Sequence, residues 1–183
     1  IVGTCGPSGC QVVDFATGAQ VDVPAAALLT TVSLTVKGIL DPTVLPAPVP
    51  AGKMLFGAAE FAPDGQAVAS PFAIIHIPTG RPLAFERAPA EVLPLYYFNG
   101  STWVLAGING TTGTNPSYPT QIAVNATVGV LHVYAVFLND ADGDLIHRLD
   151  ILPPCDAGHG DELTAEPDGD AGVPRLLEEG GDA

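Results

Sequence analysis

From Gln11 onward, apolar and polar residues alternate in short runs separated by turn residues. Thr31-Val-Ser-Leu-Thr-Val-Lys37 repeats with period two, which points Val32, Leu34 and Val36 to one face of a strand. Gln11–Phe15, Val21–Leu28 (ending in a Pro turn), Met54–Phe61, Phe72–Ile77, Gln121–Val128 and Val130–Leu138 also read as strands. Ala62-Pro-Asp-Gly65 supplies a turn between two of them, and Thr79-Gly-Arg-Pro-Leu83 reads as loop. Before residue 139 no segment carries a helical period. Short strands at this spacing, with turn chemistry between them, predict an antiparallel β-sandwich over residues 11–138.

The richest stretch runs from Pro94 to Gly107. Leu95–Phe98 is an aromatic strand, Asn99-Gly100 is a hairpin turn signal, and Thr102–Leu105 is the returning strand. The single Trp and two of the four Tyr fall here, so this hairpin is expected to carry the largest side chains of the core. A loop rich in Gly, Thr and Asn is expected after it. Pro42, Pro46, Pro48 and Pro50 make residues 41–52 an extended segment that cannot be a central strand, and one sheet edge beside it is expected to be incompletely paired.

Charge divides the chain. Residues 1–138 hold seven acids and four bases, whereas residues 139–183 hold thirteen acids and two bases. The body is nearly neutral and the extension is a polyanion. With no basic patch, nucleic acid is excluded as a partner, and a cation suits the extension. No apolar run is long enough to span a membrane. The chain begins at Ile1 without Met, which reads as a mature, processed product.

A succession of fragments resembles a known family. It comprises Val21-Asp-Val-Pro-Ala-Ala-Ala-Leu28, Val32-Ser-Leu-Thr-Val36, Phe61-Ala-Pro-Asp-Gly65, Ser70-Pro-Phe72 and Ile74-Ile-His-Ile-Pro78. Leu93-Pro-Leu-Tyr-Tyr-Phe98, Thr102-Trp103 and His132-Val-Tyr134 complete the series. In this order they resemble the β-sandwich domain of ankyrins and netrin receptors, and still more its look-alikes in secreted bacterial surface proteins. The family usually has Gly after the strand-ending Pro and a small residue, where this chain has Ala26. The resemblance implies a structural or adhesive role with no catalytic residues.

The extension carries the most chemistry. Asn139-Asp140-Ala-Asp142-Gly-Asp144 sets three carboxylates at alternate positions around Gly143, so that they can converge on one calcium ion, with Asp150 completing the site. The segment resembles the Asp-rich calcium loops of thrombospondin-type repeats and dockerins, but its glycine is fourth instead of sixth. Asp168-Gly-Asp170 is a weaker echo of the same pattern. A solvated acidic linker is the alternative reading.

Cys5 and Cys10 flank Gly-Pro-Ser-Gly, a turn tight enough to close a small disulfide ring, and Cys155 lies far away. Three is an odd number. Either Cys5 pairs with Cys10 and Cys155 reaches another molecule, or Cys155 pairs with one of the two. Zinc held by Cys5, Cys10, Cys155 and His159 fits no familiar spacing. The sequons at Asn99, Asn109 and Asn125 are candidate glycosylation sites and, with the cysteines, favour export.

Catalytic signals are thin. His76 and His132 lie inside apolar strands and read as packed sheet residues. His147-Arg-Leu-Asp150 has no neighbouring nucleophile, His159-Gly-Asp-Glu162 lacks the second His of a metalloprotease helix, and the spacing of Glu60, Glu86 and Glu91 favours no glycosidase pair. The expected protein is therefore all-β and not an enzyme, with an arm at residues 1–10, a sandwich at 11–138 and an acidic, loop-rich extension at 139–183. It is expected to be extracellular or at the cell surface. Its expected role is a self-assembling fibre or coat subunit stabilised by calcium and disulfide. The alternative is a carbohydrate- or protein-binding module of a larger secreted protein.

Overall fold

A computed structural model describes residues 1–82 and 92–139. Its strands are β1 (Val2–Cys5), β2 (Cys10–Asp14), β3 (Ala19–Val23), β4 (Val32–Ile39), β5 (Lys53–Ala62) and β6 (Gln66–Ala67). They continue with β7 (Ala73–Pro82), β8 (Val92–Phe98), β9 (Trp103–Thr114), β10 (Gln121–Val128), β11 (Val130–Leu131) and β12 (Val133–Asn139). One 3₁₀ turn, Pro42–Val44, is capped by the Asp41 side chain, and the described residues include no α-helix. The expectation of an all-β chain holds for these residues. The acidic extension lies outside them.

Ten strands form one antiparallel sheet in the order β1-β4-β5-β12-β8-β9-β10-β7-β3-β2, and β6 pairs with β11 in a short separate ladder. The two end strands, β1 and β2, are consecutive in sequence, so the sheet has folded over until its ends meet. Residues 1–10 thus supply β1 and the first residue of β2. At one point the two leaves touch backbone to backbone. A Cβ on Gly57 of β5 would lie 2.5 Å from the Pro78 carbonyl oxygen of β7, and only glycine fits there.

Period-two alternation sends one side-chain set between the leaves. Val21, Leu34, Val36, Phe61, Ile75, Ile77, Leu95, Val124, Tyr134 and Val136 meet there, contributed from both ends of the sheet. The other set of β4, β5, β8, β9 and β12 would face water, and it does not. Ile39, Ala58, Trp103, Ala135 and Phe137 form a second apolar cluster on the outer face, closed over by Leu45, Ala47 and Val49 of the proline-rich segment. Trp103 donates its indole N–H to the Ala47 carbonyl at 3.2 Å and packs edge-on against Phe137. The hairpin therefore divides its large side chains between two clusters, and the Trp belongs to the outer one. The proline run is a strap over a sheet face.

Four local features depart from the pattern in the sequence, the first being that residues 79–82, expected as loop, form the end of β7. The expected loop after the hairpin is a continuation of β9 to Thr114, paired with β10 from Ile122↔Thr114 to Asn125↔Thr111. Its glycines permit this, because a Cβ on Gly110 would collide with Val124 and Leu95. The run 130–138 divides at His132 into β11 and β12. Ala26, which stands where the resembled sandwich domains usually have glycine, takes the left-handed conformation with φ 67°. Its N–H is held by the Pro7 carbonyl at 2.8 Å, which supports a backbone shape that alanine disfavours.

Candidate functional site

The two ends of the sheet are sewn together where β1 turns into β2. Cys5 and Cys10 form a disulfide with Cα atoms 5.2 Å apart, and Cys5 is fully buried against the core. Between them Gly9 donates to the Gly6 carbonyl at 2.9 Å. Gly9 has φ 80°, and a Cβ there would strike the backbone of Val23, Pro24 and Ala25, so the position demands glycine. Farther along, Asp14 ties β2 to β4. Its carboxylate accepts from Thr17 Oγ1 at 2.6 Å, Gly38 N at 3.0 Å and Ala16 N at 3.1 Å. Burial pushes this carboxyl up, but those three bonds outweigh it and hold it below the usual aspartate value of 3.8.

A polar row crosses the outer face of the other leaf. Register places Thr111, Asn125, His76 and Gln20 side by side on β9, β10, β7 and β3, with Asp22 and Gln11 on the next row. His76 donates from Nε2 to Asp22 Oδ2 at 2.9 Å, and its Nδ1 meets Asn125 Oδ1 at 2.7 Å. Gln20 Nε2 donates to both Asp22 oxygens at 2.9 and 2.8 Å, Gln11 Nε2 to Oδ1 at 2.8 Å, and Ser117 Oγ to Gln20 Oε1 at 2.6 Å. Burial raises Asp22, yet the bonds from His76, Gln11 and Gln20, together with the charge of His76, leave it lowered. A carboxylate that accepts from three side chains is committed to holding strands together.

His132, the other histidine expected to be packed, donates from Nδ1 to the exposed Asp64 at 2.7 Å and lies against the rings of Tyr97 and Tyr134. Tyr134 donates its hydroxyl to the Val130 carbonyl at 2.7 Å. Burial, with help from the Asp64 charge and Tyr97, pushes that phenol up to about 12. Nearby, between the proline strap and the hairpin tip, lies a groove of about 310 Å³. Lys37, Glu60 and Val133 form its floor, and Val44, Pro46, Phe98 and Asp64 stand around it. Sequence reasoning did not find it, since the strap and the hairpin meet only through tertiary folding.

Of the residues predicted from sequence, Cys5 and Cys10 are brought together, which selects one of the two pairings left open. Asn99 and Asn109 are exposed, whereas Asn125 is half-buried. Cys155, His159, Glu86, Glu91, His147 and the acidic set Asp140, Asp142, Asp144, Asp150, Asp168 and Asp170 lie outside the described residues. Among the described residues no three His, Cys, Asp or Glu side chains are grouped to hold a metal ion, and no helix is long and apolar enough to cross a membrane. Comparison of the chain with known protein families and with curated proteins finds no match.

Proposed function

We propose that this protein is an exported, non-catalytic structural subunit of an extracellular fibre or surface coat. The observation that carries this reading is the Cys5–Cys10 disulfide, which closes the sheet at its ends. Such bonds persist in oxidising compartments and are rare where thiols are kept reduced. The charged groups of the folded body fit the same role: Asp14, Asp22 and His76 are spent on joining strands. The resemblance to secreted sandwich domains points the same way.

In this reading the extension binds calcium through Asp140, Asp142 and Asp144, completed by Asp150, with a second site at Asp168 and Asp170. Subunits join by strand addition through a terminus, a terminal segment of one lying along the sheet of the next, and this falls to the residues after Asn139. Ile1–Cys5 is already paired with β4, and the Ile1 amino group donates to the Val36 carbonyl at 2.9 Å. Negative-stain electron microscopy of untreated, secreted protein tests the proposal. Ordered polymers that survive calcium and shorten on chelation are expected, with Asp142→Ala showing the same loss. Monodisperse single domains in calcium would overturn it.

One observation favours a second reading, that of a binding module. The groove beside the strap combines an aromatic wall at Phe98 with Lys37, Glu60 and Asp64, a mixture suited to a sugar ring. Monomers that are retained on immobilised polysaccharide, and released by Phe98→Ala, are the outcome this reading expects.

A further inference from the structure

The three sequons differ in what the fold does with them. Asn99 sits at the tip of the β8–β9 hairpin, exposed, in a turn closed by its own backbone N–H on the Thr102 carbonyl at 3.1 Å. Its Oδ1 accepts from Ser101 N at 3.0 Å and Thr102 N at 2.9 Å, and its Nδ2 has no partner among the described residues. Asn109 is exposed on the outer face of β9, at a point where the ladder to β10 has already ended at Asn125↔Thr111. Its carboxamide has no partner among the described residues. Because strand side chains alternate, Thr111 stands on the same open face as Asn109.

Asn125 has the same motif and borders the same groove as Asn109, but its side chain is engaged. Its carboxamide is half-buried and held on the His76 ring at 2.7 Å. Whichever way the amide is turned, one end is committed to that ring. The other end faces Gly113, where even an added Cβ would lie 3.0 Å from Asn125 Nδ2. A sugar on this nitrogen would break the row that joins β3, β7 and β10. Asn115-Pro-Ser117 is no competitor, since proline in the middle position disqualifies it.

We infer that Asn99 and Asn109 carry N-linked glycans and that Asn125 is a structural asparagine that carries none. In the transfer, Asn Nδ2 attacks the sugar C1 of a polyprenyl-diphosphate oligosaccharide. The Nδ2–C1 bond forms, the C1–O bond to the diphosphate breaks with its electron pair, and one amide proton leaves. A glycan at Asn109 also lies beside the opening between β9 and β10, a groove of about 460 Å³ where Ile74 is 41% exposed. It would cover the exposed part of Ile74. The assignment rests on the export proposed above.

The test is to secrete the whole chain from a eukaryotic cell, which supplies the donor lipid, and to map its peptides before and after an N-glycosidase that converts occupied Asn to Asp. The same digest, run without reductant, reads the Cys5–Cys10 bond. Conversion at Asn99 and Asn109, none at Asn125, and the loss of one glycan each in Asn99→Gln and Asn109→Gln are expected. Conversion at Asn125 in disulfide-closed protein overturns the assignment and leaves the export reading standing, as does a bare Asn99 or Asn109 in such protein. Free thiols at Cys5 and Cys10 in the secreted chain sink the export reading, and the glycan assignment with it.

Discussion

Gln20 is an amide with 1% of its surface exposed, and a polar group so placed costs stability unless it is bonded. It donates to Asp22 and accepts from Ser117, and Asp22 in turn holds His76 and Gln11. The row is thus one unit whose anchor is a single carboxylate. Its lowered folded-state value means that the stability it adds is fully present above the unfolded-chain value of 3.8 and disappears as pH falls through the lower folded one. Asp22→Asn is expected to cost about 1.5–3 kcal/mol near neutral pH, in line with hydrogen bonds to charged groups. Urea unfolding across a pH series checks this: the gap between wild type and variant should close in acid. A gap that stays constant down through pH 3.8 would contradict the role given to the ionised carboxylate. The row itself was not visible in the sequence, where Gln11, Gln20, Asp22, His76 and Asn125 fall on four separate strands and only His76, as a packed sheet residue, and the sequon at Asn125 drew notice.

At the scale of elements, the strap decides what the aromatic hairpin does. Tyr96, Phe98 and Trp103 sit on the outer side of β8 and β9, where residues 45–49 cross above them and leave Trp103 buried and the other two half-buried. Proline suits that crossing, since it needs no ladder partner and holds the segment extended. Trp103→Phe should cost about 1 kcal/mol, because it removes the donor to the buried Ala47 carbonyl and part of the ring. Trp103→Ala should cost about 3–5 kcal/mol and open the strap. Circular dichroism during chemical denaturation is the suitable measurement, since both variants lose the chain's single Trp. Equal stability of Trp103→Ala and wild type would show that the outer cluster is ornamental. The sequence marked the hairpin and the prolines separately. That one covers the other could not be read from either, because their contact joins residues 56 positions apart.

For the molecule as a whole, the sheet has two ends and, among the described residues, one covalent stitch. Cys5 and Cys10 are five positions apart, so the loop they close is short and restrains little of the unfolded chain. Replacing both by Ser should therefore cost only about 2 kcal/mol. The consequence for shape is larger than that figure implies, because β1 has Cys5 as its one buried residue. In the double variant β1 should be the first segment to exchange its amide hydrogens, ahead of β4 and β5, while the wild type protects them together. Hydrogen exchange read by mass spectrometry decides it, and uniform protection of β1 after the double substitution would count against the stitch.

Local chemistry already determines the strands and turns: alternation in Val32–Val36, glycine at Gly65 and Gly100, and the tight turn that lets two cysteines meet. These signals act over a few residues and survive any arrangement of the sheet. Folding in three dimensions decides which side of each strand is wet, that β1 and β2 end at opposite edges, that Ala26 is pressed into a glycine's conformation, and which asparagines remain free. Each of those depends on contacts between residues distant in the chain, and alternation says only that two faces differ, never what will cover them.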